Sequence, residues 1–287
     1  DWTATAMLEN VQKFDGSEVG DEGTNFQRAY VNGKVGGLAV QAGRYSWCDG
    51  LGGLIYDDRV DGIQVSYGKD VKLVAAYGKG SDASSGDRRN AEDMAYVEAS
   101  TKLGVVDVKA GYYKFDNVMY DPDATYVKED AAGNKTTEKY GYGDDVEIYA
   151  IHAGLPLAKD LKLTGTYLIN ESEAAAEDAY VESGDDGWVV GLNWKKASAA
   201  KPGSWGVWAK YYDQPAGTFV APTFEADDAG ADNKFYADMK DGFKGYGVGV
   251  DYTFAKNMVA QVKYYDLEAQ EGENEREVLY AQLNVSF

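Results

Sequence analysis

The chain has 287 residues and a formal charge of -20, from 48 Asp and Glu against 28 Lys and Arg. A surface of that sign repels phosphate backbones, which excludes nucleic acid as a partner. One cysteine, Cys48, and one histidine, His152, exclude an internal disulfide and leave too few ligands for a structural zinc site.

No apolar run approaches the roughly 18 residues a membrane-crossing helix needs. A mean hydropathy of -0.47 still suits a membrane protein built of strands, because only every second side chain must be greasy. Period-two alternation is the dominant pattern from end to end. In chain order it predicts fourteen strands: Trp2–Asn10, Phe26–Val35, Leu38–Tyr45, Val60–Tyr67, Val71–Lys79, Met94–Leu103 and Val105–Tyr113 in the first half. Val146–Leu155, Leu161–Ile169, Trp188–Lys195, Trp205–Tyr212, Gly245–Phe254, Met258–Asp266 and Glu277–Phe287 follow.

The connections alternate in length. Gly36-Gly37, Lys69-Asp70, Gly104, Lys159-Asp160 and Ala255 to Asn257 are tight turns, whereas 11–25, 46–59, 80–93, 114–145, 170–187, 213–244 and 267–276 are long and polar. Short turns on one rim and long loops on the other are the construction of outer-membrane barrels.

Side-chain alternation supports the same fold. Tyr246, Val248, Val250, Tyr252 and Phe254 share one face of their strand, against Gly247, Gly249, Asp251 and Thr253 on the other. Leu279, Ala281, Leu283, Val285 and Phe287 alternate likewise with Tyr280, Gln282, Asn284 and Ser286. The segment Val146–Leu155 has no assignable faces. Tyr77, Tyr112, Tyr167, Tyr211 and Tyr264 fall at one height on the apolar face; Tyr67, Trp194, Trp205, Phe254 and Phe287 fall near the other rim. Two aromatic belts around an aliphatic band match the headgroup levels of a bilayer. The predicted fold is therefore all-β: a transmembrane antiparallel β-barrel, one domain over 1–287, set in outer-membrane lipid and lipopolysaccharide.

Charge divides between loops and walls. Glu171, Glu173, Asp185 and Asp186 belong to the acidic loop 170–187, where weak divalent-cation binding competes with plain solvation. On the polar strand faces lie Tyr30, Lys72, Glu98, Asp107, Lys109, Lys162, Lys210, Asp251 and Lys263, the expected lining of a water-filled lumen. No phosphate loop, metal-ligand spacing or nucleophile elbow is present, so neither an enzyme nor a bound cofactor is expected.

Two stretches carry a family resemblance. Arg28 to Arg44, a strand, a Gly-Gly turn and a strand ending in Gly43-Arg44, resembles bacterial porins. Tyr45 to Asp61 and the following Gly-Ile-Gln-Val are similar to porins of diderm Firmicutes of the OmpM type, and Leu283 to Phe287 looks like the C-terminal assembly signal of outer-membrane barrels. The resemblance implies a homotrimeric general diffusion porin for small hydrophilic solutes. It also implies an S-layer-homology domain and stalk, absent from this sequence, that tether the membrane to peptidoglycan or its polymers. A saccharide-selective channel with an aromatic slide (Tyr30, Tyr96, Tyr113, Trp208, Tyr212, Tyr280) is the alternative.

By the same resemblance, segment 46–59 is the loop that folds inward, and its position implies two further strands before Asp1 and sixteen in the intact protein. The constriction expected is Asp57 and Asp58 facing Arg28, Arg44 and Arg59. Strict alternation puts Arg44 on the lipid side, unless Gly43 marks a bulge that re-aims it.

Overall fold

In a computed structural model, residues 2–10, 24–48, 51–80, 93–116, 125–129, 135–139, 145–171, 186–220, 242–270 and 274–286 are described. Fourteen strands form one antiparallel sheet in strict chain order. The first seven are β1 (Thr3–Asn10), β2 (Thr24–Val35), β3 (Leu38–Cys48), β4 (Asp57–Tyr67), β5 (Val71–Gly80), β6 (Asp93–Leu103) and β7 (Val106–Asp116). The sheet continues with β10 (Asp145–Ala158), β11 (Leu161–Asn170), β12 (Asp186–Lys195), β13 (Trp205–Pro215), β14 (Gly242–Ala255), β15 (Met258–Ala269) and β16 (Glu275–Val285).

A separate hairpin, β8 (Thr125–Glu129) with β9 (Lys135–Lys139), falls inside the segment expected to be a single long loop. Its five-residue strands carry no continuous apolar face, so alternation does not reveal them. Among the described residues β1 pairs only with β2, and β16 only with β15.

Tight turns explain the up-and-down order. Gly36 and Gly37 sit at φ 56° and 89°, the left-handed pair that a two-residue hairpin demands and that matches strand twist. Asp160 and Asn257 take the same region at two other turns, which short polar side chains tolerate.

The two sheet faces differ in kind. In β14, Tyr246, Val248, Val250, Tyr252 and Phe254 are 40–48% exposed, while Gly247, Gly249 and Thr253 between them are buried. The pattern recurs across the sheet: Tyr77, Val97, Ile151, Tyr167, Val190, Trp194, Tyr211, Val262 and Leu283 all stand bare on the outer face. A soluble protein rarely leaves an apolar patch above a few hundred Å² uncovered, so this face requires lipid. Two of the expected belt residues, Tyr112 and Tyr264, are half-buried there, and Tyr149, Trp188 and Tyr246 join them. Phe287 lies outside the described residues.

The core sits on the opposite, inner face. One contiguous cluster runs from Tyr45 and Trp47 through Tyr96, Tyr113, Phe115, Ile148 and Leu168 to Tyr212, Phe243 and Tyr265. It also takes in Ile55, before β4, and Val220, after β13, joined by a hydrogen bond from Val220 N to Ile55 O at 3.0 Å. Elements far apart in sheet order meet, so the sheet curls around its own core. Burying each such aromatic side chain stabilises by roughly 1.5–3 kcal/mol relative to leaving it exposed.

Inward glycines make room for these rings. The Trp208 ring lies over Gly249, and Tyr265 covers Gly247, where an added Cβ would stand 2.7 Å from its ring carbons. Gly247→Val is expected to cost about 1–3 kcal/mol by overpacking, read as a lower urea midpoint of the folded, heat-modifiable band. Gly165→Ala, where nothing lies within 4 Å of the new Cβ, should leave that midpoint nearly unchanged.

Candidate functional site

Along the axis the inner face has two zones, and strand direction decides which residues reach each. Near the long loops the wall is apolar. The chain leaves β3 and turns inward, with Leu51, Leu54, Ile55 and Tyr56 all 7% exposed or less. Gly52 and Gly53, at φ 91° and 75°, supply the backbone conformations for that turn. Trp47 stacks on Tyr96 at 4.2 Å and on Tyr56 at 5.5 Å, and Tyr56 leans on Phe115 at 6.2 Å.

From the other side comes the segment after β13, a single 3-10 turn at Ala216–Thr218 followed by Phe219 and Val220. Phe219 packs edge-on against Phe243 at 5.3 Å. Besides the Val220–Ile55 bond, Gln214 Nε2 donates to Leu54 O at 3.1 Å. The two segments thus meet across the interior.

The short-turn half is polar and open. A cavity of about 740 Å³ is lined by Lys72, Lys109, Lys162, Asp107 and His152 among others. A second, of about 960 Å³, takes in Lys162, Lys195, Trp208 and Asp251. Asn32, Gln41, Gln64 and Ser66 border a third of about 580 Å³.

Here the lysines cross-link strands. Lys162 Nζ lies 2.8 Å from Asp107 Oδ2, and Lys109 Nζ 3.5 Å from Glu98, which also accepts from the Tyr113 hydroxyl at 2.8 Å. Asp251 accepts from Gln261 at 2.7 Å. Lys210 extends over Trp208 at 5.2 Å and Lys263 over Tyr280 at 5.4 Å. His152 Nδ1 pairs with Thr166 Oγ1 at 2.8 Å.

The expected lining residues Tyr30, Lys72, Glu98, Asp107, Lys109, Lys162, Lys210, Asp251 and Lys263 therefore all lie on inward strand positions. Tyr96, Tyr113 and Tyr212 point inward too, but at 2% exposure or less they are core and offer no ring face to water.

The arginine–aspartate constriction is not assembled as expected. Arg44 lies between the inward Tyr45 and Gly43 and faces out. It holds Asp61 bidentately, Nε to Oδ1 at 2.7 Å and Nη2 to Oδ2 at 2.6 Å. Gly43 has φ 116°, but Tyr30 opposes Gly43 and Ala29 opposes Arg44 with no register shift, so no bulge turns the arginine inward. A side chain at Gly43 would run into Ala29 O, which is why glycine stands there.

Arg59 opposes Ser46 on the outward register, whereas Asp58 opposes the inward Trp47. Asp57, opposite Cys48 at the start of β4, is exposed. Of the five, Arg28 and Asp58 keep inward positions. Among the loop acids, Asp186 accepts from the Tyr167 hydroxyl on the outer wall, and Glu171 N donates to Glu147 O. Glu173 and Asp185 lie outside the described residues. No group of three metal-ligating side chains forms among the described residues.

Alternation also passes over the inward segments themselves. Leu54-Ile55-Tyr56 and Thr218-Phe219-Val220 are apolar runs inside polar loops, and that anomaly is the available signal.

No protein-family model matches the chain, and no match is found among curated proteins. Solved structures do match. OmpT, an outer membrane protein of Vibrio cholerae folded in vitro, aligns over 91% of this chain and 80% of its own, with TM-score 0.55 and 14% identity. Two mutants of the Rh. blastica porin align over 100% of this chain and 90% of theirs, with TM-scores of 0.50 and 0.51 at 15% and 14% identity. The likeness is one of fold: the chain has the β-barrel fold of bacterial outer-membrane porins.

The geometry separates two arginines that sequence groups together. Arg28→Ala is expected to change single-channel conductance, because that side chain is on the inner face. Arg44→Ala should leave conductance unaltered, because that side chain is on the outer face.

Proposed function

We propose that this barrel is a passive channel of the bacterial outer membrane through which small hydrophilic solutes and ions diffuse. One observation carries the reading: an apolar, aromatic-rimmed face turned outward and ionised side chains turned inward on the same strands. Nothing in a lipid-embedded sheet stabilises Lys72, Lys162 or Asp251 on the inner face except water and one another, so that face borders an aqueous path. The reading is one of passage, with no catalytic step.

The inward segment 51–56 acts as the element that narrows the path, held across the interior by Gln214 and Val220. In the short-turn half the wall of β1, β2 and β16 stays polar: Thr3, Thr5, Asn32, Gln282 and Asn284 take inward registers there. Solutes pass along that side. A saccharide slide gains no support, since three of its six rings are buried core.

Homotrimeric assembly draws on an asymmetry of the outer wall. Between β1 and β6 it carries, among exposed residues such as Ile63, Tyr67, Tyr77 and Val97, the small side chains Ala4, Ala6, Ala29, Ala42, Ala75 and Ala95 and the Arg44–Asp61 pair. Between β10 and β15 it carries Tyr149, Trp188, Tyr211, Tyr246, Tyr252 and Phe254. An ion pair is costly against hydrocarbon and small side chains let walls approach, so the first wall suits a neighbouring copy and the second suits lipid. A closed barrel also pairs the free edges of β1 and β16, directly or through the two further strands of a sixteen-stranded form. The resemblance of residues 28–61 to OmpM-type porins supports a second role, a tether to peptidoglycan through an S-layer-homology domain.

Purified protein in planar bilayers tests the core of this reading. Stepwise ohmic conductance is expected, with each insertion resolving into three equal closures; a bilayer that stays silent would contradict it. Replacing Leu54, Ile55 and Tyr56 together by glycine should raise the unit conductance, and Gln214→Ala should raise current noise by weakening the bond across the interior.

A further inference from the structure

Among the described residues, the short-turn half of the inner face has the opposite sign to the chain as a whole. The chain carries -20, yet the inner face of its short-turn half is basic. Lys72, Lys109, Lys162, Lys210 and Lys263 project there from five different strands, against Glu98, Asp107 and Asp251. Nearer the long loops Arg28 and Arg276 occupy inward registers, with Asp58 and Glu9 as the acids at that level among the described residues.

Two of these acids are held in pairs. Glu98, 7% exposed, lies beneath Lys109 and the Tyr113 hydroxyl. Asp107 is shared by Lys162 at 2.8 Å and Lys102 at 3.2 Å. For Lys72, by contrast, no acid among the described residues comes within salt-bridge reach, and it borders the widely open 740 Å³ cavity. His152 and Thr166 contribute polar groups beside Lys109 and Lys162.

From this we infer that the pore prefers anions: its solutes are small carboxylates and inorganic oxyanions, gathered by the lysine-lined inner half. The inference rests on the channel reading above. Two effects compete. The net negative charge of the chain favours cations, and wall lysines favour anions. Screening decides between them, because at 0.1 M salt charges are felt over only about 10 Å. Charges farther than that from the path are damped, whereas lysines on a low-dielectric wall focus their field into it. The lysines win.

The test is the zero-current potential of the full chain in a planar bilayer under a roughly tenfold KCl gradient. Chloride is expected to permeate on the order of threefold better than potassium. That preference should fade as mean salt rises toward 1 M, where the screening length drops to about 3 Å. K72E combined with K210E should move the zero-current potential to the cation side, with folding checked by heat-modifiable migration. A native channel that conducts but prefers potassium overturns the anion assignment while leaving the channel reading intact; absence of any conductance overturns both. If the double variant does not fold, the salt dependence of the native channel decides, and a preference that does not vary with salt counts against wall charge as its source. Tripolyphosphate gives a second readout: block of the chloride current is expected, and indifference contradicts the lysine site.

Discussion

Hydrocarbon offers no partner to a backbone N–H or C=O, and the rest of this structure follows from that constraint. Every strand that crosses must pair along both edges, so the chain becomes an unbroken series of antiparallel hairpins, each beside its predecessor. Once pairing is settled, alternate side chains have no choice of environment. Val248 and Val250 face the acyl chains; Gly249 and Asp251 face inward. Tight turns such as Gly36-Gly37 close one rim because adjacent strands need nothing longer, and the longer connections collect at the other.

How much of this the sequence reveals depends on which face is read. The outer face is legible almost residue by residue, because lipid sets a single rule for it. Fourteen sheet strands, their turns and both aromatic levels follow from alternation alone. The inner face obeys two rules, water in one half and packed core in the other, and alternation cannot distinguish them. Strand β10 illustrates the difficulty: Val146, Ile148 and Ala150 pack inward, while Tyr149 and Ile151 face lipid, so both faces are apolar and the strand has no visible polarity. Gly43-Arg44 shows the converse error. The family resemblance assigns the arginine to the lumen, but strict alternation, which sends it outward to Asp61, is the rule the structure obeys.

The interior also shows how size matching works in a sheet. Glycine on one strand receives a ring from the next, Trp208 over Gly249 and Tyr265 over Gly247, so large side chains lie along the wall instead of across the lumen. That leaves the crossing of the interior to the two inward segments, joined at Ile55 and Val220. The apolar crossing and the lysines nearer the short turns thereby occupy different heights of the interior.

Single-cysteine labels along β14 and β16, in a Cys48→Ser background, give the most direct measurement. With a fluorophore at each position in turn in reconstituted bilayers, quenching by brominated lipid should rise and fall with a period of two, strong at Val248, Val250 and Leu283 and weak at Gly249, Asp251 and Gln282. Uniform quenching, or strong quenching at Asp251 with none at Val250, would mean that the greasy face does not meet lipid and that this protein is not a membrane barrel.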